Sequence, residues 1–343
     1  MAVLVTGGAG YIGSHTCAEL LEAGREIIVA DRPEHAAAIE RLRAASGKDF
    51  PFYPLDLPDR SGLLRIFEEN GIEAVIHFAG IRPVMDHRRS HLPIAGTVIL
   101  CEVMKRFGVR RLVFGSSSAV YGKPRQTPVA ETAPLGAANR YGRTLLMIEE
   151  ILRDLCEADR RWSIALLRSF NPAGAHPGGW IGLEEVDAPQ HLMPRLLRVA
   201  AKRDDELPVF GGDYPTRDGT CVRDYVHVAD LAKGHVKALD RVMADAGIDA
   251  YNLGSGDGHS VLEVIAAFEK ASGRAIPWRI VERRPGDAPV ICADTEKARR
   301  ELGWQATLGL DRICEDAWRW LRGRMDGGGP EARVMAGTGG TAG

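Results

Sequence analysis

A glycine-rich turn follows the first apolar run of the chain. The segment Thr6–Gly13 carries Gly7, Gly10 and Gly13 at intervals of three and leads into a helical pattern. Glycine at these positions allows a tight turn, lets the backbone approach a pyrophosphate and lets the helix pack closely on the strand. The helix that begins there would also present free N–H groups and a positive dipole end to phosphate oxygens. The spacing therefore predicts a dinucleotide site, with a plain glycine-rich turn as the alternative.

Acidic residues close the next two predicted strands. Asp31 lies eighteen residues after Gly13, where a carboxylate can accept hydrogen bonds from an adenosine ribose and would repel a 2′-phosphate. This favours NAD over NADP, although Arg32 could hold such a phosphate and Asp31 could instead cap a helix. Asp56, followed by Leu57, comes directly after the third predicted strand. An acid there can meet the adenine amino group or lie in a solvated turn.

The elements that must position these residues alternate along the first half of the chain. Short β-branched runs predict six strands, at Val3–Val5, Glu26–Ala30, Phe52–Leu55, Ala74–Phe78, Leu112–Phe114 and Ile164–Leu167. Helical patterns separate them, at Tyr11–Ala23, Arg60–Asn70, Ile94–Phe107 and Tyr141–Ala158. Such alternation builds a parallel sheet with helices on both faces, which binds ligands at the carboxyl ends of its strands. We therefore predict an α/β fold, a Rossmann-type doubly wound parallel sheet.

The pattern breaks after Asn171, where Gly and Pro become frequent. A strand–helix pattern returns over Arg223–Leu239, and further helices are predicted at 261–273 and Leu310–Arg322. This organisation predicts two domains and a tail. They are a NAD-binding Rossmann domain of residues 1–170, joined by 223–250, a smaller mixed α/β substrate-binding domain of 171–222 and 251–325, and a disordered tail of 326–343, where apolar side chains are few.

Composition argues against several classes of function. Lys and Arg number 44 against 46 Asp and Glu, a net charge of -2, which offers no basic surface for nucleic acid. No apolar run reaches the roughly 18 residues of a membrane span, and the chain opens without the basic segment of a signal peptide. Its six cysteines are scattered and no H-E-x-x-H pair occurs. We expect no disulfide framework, no metal site and a reducing, cytoplasmic location.

Several segments resemble one family. Thr6–Thr16 is similar to the opening of the UDP-glucose 4-epimerases, also called UDP-galactose 4-epimerases, a branch of the extended short-chain dehydrogenase/reductases. The likeness spans residues 1 to about 322 and recurs at His77–Gly80, Ser116–Gly122, Asn171–Pro177, Leu192–Pro194, Phe210–Val228, Arg284–Asp287 and Glu301–Trp304. The glycine-rich turn is shared by the whole superfamily, whereas Gly211–Thr220, leading into Val222–Val228, is specific to this branch.

The resemblance implies a chemistry and a set of site residues. Members of that family hold NAD permanently, take hydride from C4 of a hexose and a proton from its hydroxyl, and return hydride to the other face of the 4-keto sugar. Tyr141 matches the tyrosine that acts as base and then acid, and Ser117 the hydroxyl that hydrogen-bonds O4. The implied NAD site comprises Gly7, Gly10, Tyr11, Ile12, Gly13, Asp31, Asp56, Leu57, Phe78, Ala79, Gly80 and Arg82. The implied UDP-sugar site comprises Ser117, Asn171, His191, Phe210, Arg223, Arg284, Asp287 and Ile291. A homodimer is expected.

One departure from the family pattern concerns the reaction directly. The pattern Tyr-x-x-x-Lys reads Tyr141 to Leu145 here. The family's lysine lies one helical turn after the tyrosine on the same face, where its charge favours the phenolate. Because an unperturbed tyrosine titrates at about 10, Leu145 predicts a Tyr141 that is mostly protonated near neutral pH. Arg143 points to the opposite side of the helix, and an aromatic residue expected near the nicotinamide is Ser169.

Three functions follow from these residues. A NAD-dependent UDP-hexose 4-epimerase is the leading interpretation, with turnover weakened by Leu145. The second is an impaired homologue that binds NAD and nucleotide sugar without efficient turnover. The third is a nucleotide-sugar dehydratase, but that chemistry needs an acidic pair just after the serine, where Ser118 and Ala119 stand.

Overall fold

The computed structural model describes residues 1–78, 91–183 and 191–326. Those ranges contain thirteen strands and ten α-helices. The strands are β1 Ala2–Thr6, β2 Ile27–Asp31, β3 Phe52–Pro54, β4 Ile72–His77, β5 Arg111–Ser117, β6 Ser163–Ser169, β7 Asn171–Ala173, β8 Leu207–Phe210, β9 Val222–His227, β10 Gly247–Leu253, β11 Gly258–Ser260, β12 Trp278–Val281 and β13 Val290–Ile291. The helices are α1 Tyr11–Glu22, α2 Ala36–Ser46, α3 Arg60–Glu69, α4 Leu92–Arg106, α5 Arg140–Ala158, α6 Leu192–Ala200, α7 Val228–Ala244, α8 Val261–Ser272, α9 Glu296–Leu302 and α10 Leu310–Met325.

A seven-stranded sheet organises the larger part of the chain. Its strand order is β10-β6-β5-β4-β1-β2-β3, and all six neighbouring pairs are parallel. The chain moves outward from β1 to β3 and then crosses back to β4, so the order reverses between β1 and β4. A crevice for ligands opens at such a reversal, outside the carboxyl ends of the strands. The predicted Rossmann-type fold class is confirmed.

Alternation along the strands gives the sheet two apolar faces. In β1, Leu4 belongs to a core that packs against α3, α4 and α5, while Val3 and Val5 belong to a second core beneath α1, α2 and α7. Successive strand side chains point to opposite faces, so strands buried on both sides are apolar over most of their length. This explains why the strands appear in the sequence as short continuous apolar runs.

A second group of elements lies beyond the carboxyl edge of the large sheet. In it β9 pairs with β7, β11 and β13, and β8 pairs with β12. A third apolar core joins α6, α8 and α10, with Leu196, Phe268 and Ile313 fully buried in it. The segment that leaves β6 therefore enters this second group directly as β7, three residues that begin at Asn171. This continuity brings residues from both halves of the chain to one edge.

Several elements differ from the sequence expectations. The helix α2, the helix α6 and the seventh strand β10 were not predicted, and α4 begins at Leu92 rather than Ile94. Pro93 stands in the first turn of α4, where its missing N–H costs nothing. Residues 327–343, most of the predicted tail, lie outside the described residues; Asp326 follows α10 directly.

Neither a membrane-spanning helix nor a metal site is found among the described residues. No helix there is both long enough and apolar enough to cross a membrane. Within the same ranges, no group of three or more His, Cys, Asp or Glu side chains is placed to hold a metal ion.

Candidate active site

The predicted glycine turn joins β1 to α1 through contacts that exclude side chains. Gly7 has a φ of 74°, in the left-handed region where glycine is favoured, and its N–H donates to the Ala30 carbonyl at 2.8 Å. A Cβ on Gly13 would lie 2.2 Å from the Gly7 carbonyl oxygen. The first turn of α1 can therefore cross the strand end only when residue 13 is glycine.

Gly8 is a fourth glycine that the spacing argument overlooked. A Cβ there would lie 2.8 Å from Val29 Cγ1 and 3.1 Å from Cys17 Sγ, so the turn could not settle onto the sheet. Gly10 precedes α1 with extended backbone and no side-chain cap. Since the first N–H groups of a helix have no partner inside it, those of Tyr11, Ile12 and Gly13 are the donors available to a phosphate.

Asp31 faces this turn from the end of β2. Its Oδ2 accepts the Ala9 N–H at 2.9 Å, and its Oδ1 accepts from the Arg32 N–H at 2.8 Å. His35 Nδ1 also lies 2.7 Å from Oδ1, a partner that sequence reasoning missed. A carboxylate oxygen accepts about two hydrogen bonds, so Oδ2 retains capacity for a ribose hydroxyl. The turn and this acid together fit a dinucleotide.

Tyr11 joins the turn to the second group of elements, and Phe78 packs just after the end of β4. The Tyr11 hydroxyl donates to the Gly174 carbonyl at 2.7 Å, and burial raises the pKa of Tyr11 well above its usual value. This bond ties the turn to the segment that follows β7. The Phe78 ring packs on the His235 ring at 4.8 Å between centroids, and glycine at position 115 leaves room for it.

Of the remaining predicted cofactor residues, the structure describes Asp56 and Leu57. Asp56 is exposed and accepts the Leu57 N–H at 3.0 Å, while Leu57 is buried against α4. Ala79, Gly80 and Arg82 lie outside the described residues.

Tyr141 and Ser117 meet at the end of β5. Ser117 closes β5, and Tyr141 stands in the first turn of α5, where its ring packs against the core beneath that helix. Burial raises the pKa of Tyr141 to about 12, and a hydrogen bond with Ser117 offsets part of the rise. That bond favours the phenolate of Tyr141. The pair can therefore hold, accept and return a proton.

The start of α5 is fixed by two contacts that sequence reasoning missed. Asn139 caps the helix, and its Oδ1 accepts the Gly142 N–H at 2.8 Å. A Cβ on Gly142 would lie 2.4 Å from the Ala119 carbonyl oxygen, which belongs to the 3₁₀ turn Ser118–Tyr121 just after Ser117. Glycine at position 142 thus lets the helix and the turn touch, which brings Tyr141 within reach of Ser117.

Leu145 is part of the apolar core rather than of the polar site. Only 1% of its surface is exposed, and it packs among the core residues beneath α5. Arg140 and Arg143 are both exposed. Among the described residues, no cation contributes to the pKa of Tyr141. At position 145, where the family pattern has a lysine, this chain has a leucine that packs in the apolar core.

A cluster of guanidinium groups surrounds Phe210 at the end of β8. The Arg284 Cζ lies 3.8 Å from the centre of the Phe210 ring, and the Arg195 Cζ lies 5.5 Å from it. Burial lowers the pKa of Arg284, as do the charges of Arg195 and Arg223. Positive groups that repel one another around an aromatic face suit a ligand with a flat base and a diphosphate.

The other predicted substrate residues adjoin this cluster through β9. Arg223 lies beside Ile291 in the parallel pairing of β9 and β13, and its Nη2 is 3.7 Å from Asp287 Oδ1. Asn171 pairs with Tyr225 of the same strand. Partial burial and the Arg284 charge lower the pKa of His191, whose side chain keeps an exposed face at the start of α6. Arg195, one turn beyond His191, was not predicted, although it directly follows the Leu192–Pro194 motif.

The comparisons with known proteins agree on the family. Residues 3–254 match the NAD dependent epimerase/dehydratase family. The chain is 54% identical to a Bacillus subtilis (strain 168) relative over 95% of its own length and 98% of that protein. It therefore belongs to the NAD-dependent epimerase/dehydratase family.

The names of the relatives specify one activity within this family. The Bacillus subtilis protein is called UDP-glucose 4-epimerase. A solved UDP-glucose-4-epimerase from Stenotrophomonas maltophila, with bound NAD and formylated UDP-arabinopyranose, matches with a TM-score of 0.92 at 44% identity, covering 95% of this chain and 99% of that one. One from Bifidobacterium longum in complex with NAD+ and UDP matches with a TM-score of 0.89 at 43% identity, covering 96% and 100%.

Replacing Gly13 tests the glycine turn. Gly13→Ala places a methyl group 2.2 Å from the Gly7 carbonyl, which must push α1 away from the turn. We expect the purified variant to carry less than about a tenth of the parent's NAD, a loss of roughly 1.4 kcal/mol or more in binding. The measurement is the NAD released per chain on denaturation. Gly71→Ala is the matched control, since a Cβ there meets nothing within 4 Å. Equal NAD content in both variants would contradict the assignment.

Proposed function

We propose that this chain interconverts UDP-glucose and UDP-galactose by inverting C4 of the hexose with bound NAD. The observation that carries the proposal is the Ser117–Tyr141 hydrogen bond at the end of β5, on the same sheet edge as the glycine turn. Membership of the family and relatives named UDP-glucose 4-epimerase support it. The alternative of a homologue that binds without turnover rests on Leu145 alone.

The nucleotide end of the substrate is held by the guanidinium cluster. Arg284, Arg195 and Arg223 supply positive charge for a diphosphate, and Phe210 supplies an aromatic face for the base. Guanidinium groups bind phosphate oxygens through two parallel hydrogen bonds. Asn171, His191, Asp287 and Ile291 complete the proposed substrate site. A firmly held UDP group leaves the hexose to be presented in either orientation to the same catalytic pair.

Proton transfer falls to Tyr141, with Ser117 as its partner. The Tyr141 phenolate accepts the proton of the C4 hydroxyl, and the Ser117 hydroxyl donates to the oxygen that loses it. NAD, when bound, would supply a hydride acceptor for the hydrogen on C4 and, once reduced, a hydride donor that restores it. Tyr141 then gives its proton back to O4. All atoms removed from the sugar are restored, so no outside oxidant is consumed.

The proposed cofactor site combines the turn with the strand ends beside it. The N–H groups of Tyr11, Ile12 and Gly13 would hold the pyrophosphate, Gly7 and Gly10 would give the backbone room to approach it, and Asp31 would hold the adenosine ribose. Asp56, Leu57, Phe78, Ala79, Gly80 and Arg82 complete the proposed set. We assign residues 1–170 and 223–250 to the NAD-binding domain, and 171–222 with 251–325 to the substrate domain.

Assembly and location are parts of the same proposal. We expect a homodimer in the cytoplasm; the six cysteines are free and buried, as suits a reducing compartment. Light scattering of the purified chain measures its mass in solution.

The activity itself is the first test of the proposal. Purified protein mixed with UDP-galactose should yield UDP-glucose, and Tyr141→Phe should lower the rate at least ~100-fold, since positioned acid–base groups contribute ~10²–10⁴. Chromatography of the two sugars follows the reaction. Tyr53→Phe, on the far edge strand β3, is the matched control and should retain the parent rate. A Tyr141→Phe variant as fast as the parent would remove Tyr141 from the mechanism.

The pH dependence follows from the Tyr141 environment. With a pKa of about 12, only ~1 in 10⁵ molecules holds the phenolate near pH 7. Raising the pH increases that fraction, so kcat/KM should rise with pH, about tenfold per unit, from roughly pH 7 to pH 9. A profile flat over this range would show that another group lowers the pKa of Tyr141.

Leu145→Lys tests the missing cation. A lysine one turn from Tyr141 favours the phenolate and commonly moves such a pKa down by ~1–3 units, so the rate near neutral pH should rise and the profile shift to lower pH. Because position 145 is in the core, burying an unpaired ammonium should also lower the melting temperature. Leu145→Met, a volume-conserving control that costs below ~1.5 kcal/mol, should change neither rate nor profile. A stable Leu145→Lys variant with no gain in rate would show that a cation at position 145 does not favour the Tyr141 phenolate.

Ile291 is expected to set the size of the sugar pocket. The family resemblance implies that a bulky residue here crowds the C2 substituent, and Ile291 is medium-sized and only partly buried beside Arg223. UDP-GlcNAc should therefore bind within about tenfold of UDP-glucose, or roughly 1.4 kcal/mol, as measured by calorimetry. Ile291→Tyr should widen the gap by weakening UDP-GlcNAc alone. A wide gap in the parent would mean that another residue closes the pocket.

A further inference from the structure

A row of polar side chains crosses the large sheet one residue below its carboxyl edge. Ser116 of β5 pairs in register with Arg168 of β6, and Arg168 pairs with Asn252 of β10. All three are at most 5% exposed. Residues at one level of adjacent strands project to the same face, so this row lies under α5, the helix that carries Tyr141.

The row is joined to α5 by a buried ion pair. Glu149 of α5 is fully buried, and its two carboxylate oxygens accept from Arg168 Nε at 3.1 Å and Arg168 Nη2 at 2.7 Å. The Ser116 hydroxyl donates to Glu149 Oε1 at 2.6 Å. Burial alone would lower the pKa of Arg168, but the hydrogen bonds and charge of Glu149 raise it above its usual value.

The same network continues beyond the sheet. Arg168 Nη1 donates to the Tyr121 hydroxyl at 2.9 Å, and that hydroxyl donates to Asn252 Oδ1 at 2.7 Å. The Asn252 amide in turn donates to the Val129 carbonyl at 2.7 Å. Tyr121 closes the 3₁₀ turn that starts after Ser117. Side chains of β5, β6, β10, α5 and this turn are thus linked in one buried set of bonds.

The catalytic pair is attached to this network at both of its members. Ser116 precedes Ser117 in the chain, and Glu149 lies two helical turns after Tyr141, about 12 Å along a rigid helix. Losing one partner of a buried charge pair leaves the other without compensation, so the two strand ends and the helix move only together. An apolar set of the same size would bury these elements equally well without fixing the angle between them.

We propose that Ser116, Glu149 and Arg168 are positioning residues, which hold Tyr141 of α5 at hydrogen-bond distance from Ser117 of β5. This inference rests on the proposed function, since it assigns a purpose to the same site. Small displacements of reacting groups cost large factors in rate. The network therefore acts on turnover rather than on binding of the distant nucleotide.

Ser116→Ala is the decisive variant because it removes one hydroxyl and leaves the ion pair intact. We expect kcat to fall about tenfold while KM for UDP-galactose stays within about twofold, because the guanidinium cluster that binds UDP is untouched. Ser116→Thr, which keeps the hydroxyl, should recover most of the rate. Glu149→Gln should lose more than Ser116→Ala, provided that it folds.

The matched control breaks an ion pair between the same two elements at their other end. Arg110, just before β5, donates from Nε to Asp159 Oδ2 at 2.9 Å, and Asp159 follows α5 directly. Arg110→Met should lower the melting temperature but leave kcat unchanged. Equal losses of kcat in Ser116→Ala and Arg110→Met would reduce the network to a stabilising role and overturn the proposal, as would an unchanged kcat in Ser116→Ala.

A second readout does not depend on turnover. Tyrosine labelled at Cζ gives a nuclear magnetic resonance signal that responds to hydrogen bonding at its oxygen, and Tyr141→Phe identifies the Tyr141 signal. Ser116→Ala should shift that signal and Arg110→Met should not. If the parent proves inactive, the proposed function fails, yet this signal still decides the positioning role. A signal unmoved by Ser116→Ala would overturn it.

Discussion

The seven strands of the central sheet all run in one direction, and every interaction at the site depends on that constraint. Parallel hydrogen bonding puts all the carboxyl ends at one edge. Thr6 pairs with His77 and Ser117 with Ser169, although these residues are far apart in sequence. The glycine turn, the acid that faces it and the Ser117–Tyr141 pair consequently lie at one edge of the sheet. The chain can assemble this site because a helix returns it to the starting edge after each of β1 to β5, and α7 does so before β10.

Much of this arrangement could be predicted from the sequence because it depends on local chemistry. The turn could be recognised from its glycines because Gly7 has a φ of 74° and a Cβ on Gly13 would lie 2.2 Å from the Gly7 carbonyl oxygen. Runs such as Ile27–Ala30 can be recognised as strands because both of their faces are buried and their residues are therefore all apolar. Tyr141 was found through the family pattern rather than through its own surroundings, since a tyrosine at a helix start is equally typical of a core.

The features that were missed depend on contacts between distant segments. The role of Arg195 can be recognised only from the packing of α6 near Phe210. That of Gly142 can be recognised only from the contact between α5 and the turn after Ser117. The helix α2 buries just Ile39 and Leu42, too few apolar residues to stand out as a period. Leu145 shows the difference most clearly. The sequence indicates only that the lysine of the family pattern is absent, whereas the structure shows that the Leu145 side chain is buried in the apolar core. Burial and the hydrogen bond with Ser117 are therefore the two influences on the pKa of Tyr141 among the described residues.

The most direct measurement follows the fate of the hydrogen on C4. In the proposed reaction this hydrogen leaves C4 and returns to C4 without exchanging with water, while Tyr141 exchanges only the proton of O4. UDP-galactose that carries deuterium at C4 should give UDP-glucose with the deuterium still at C4, as mass spectrometry of the product would show. Product that has lost the label to water, or a chain that binds NAD and UDP-galactose and leaves the sugar unchanged, would contradict the account.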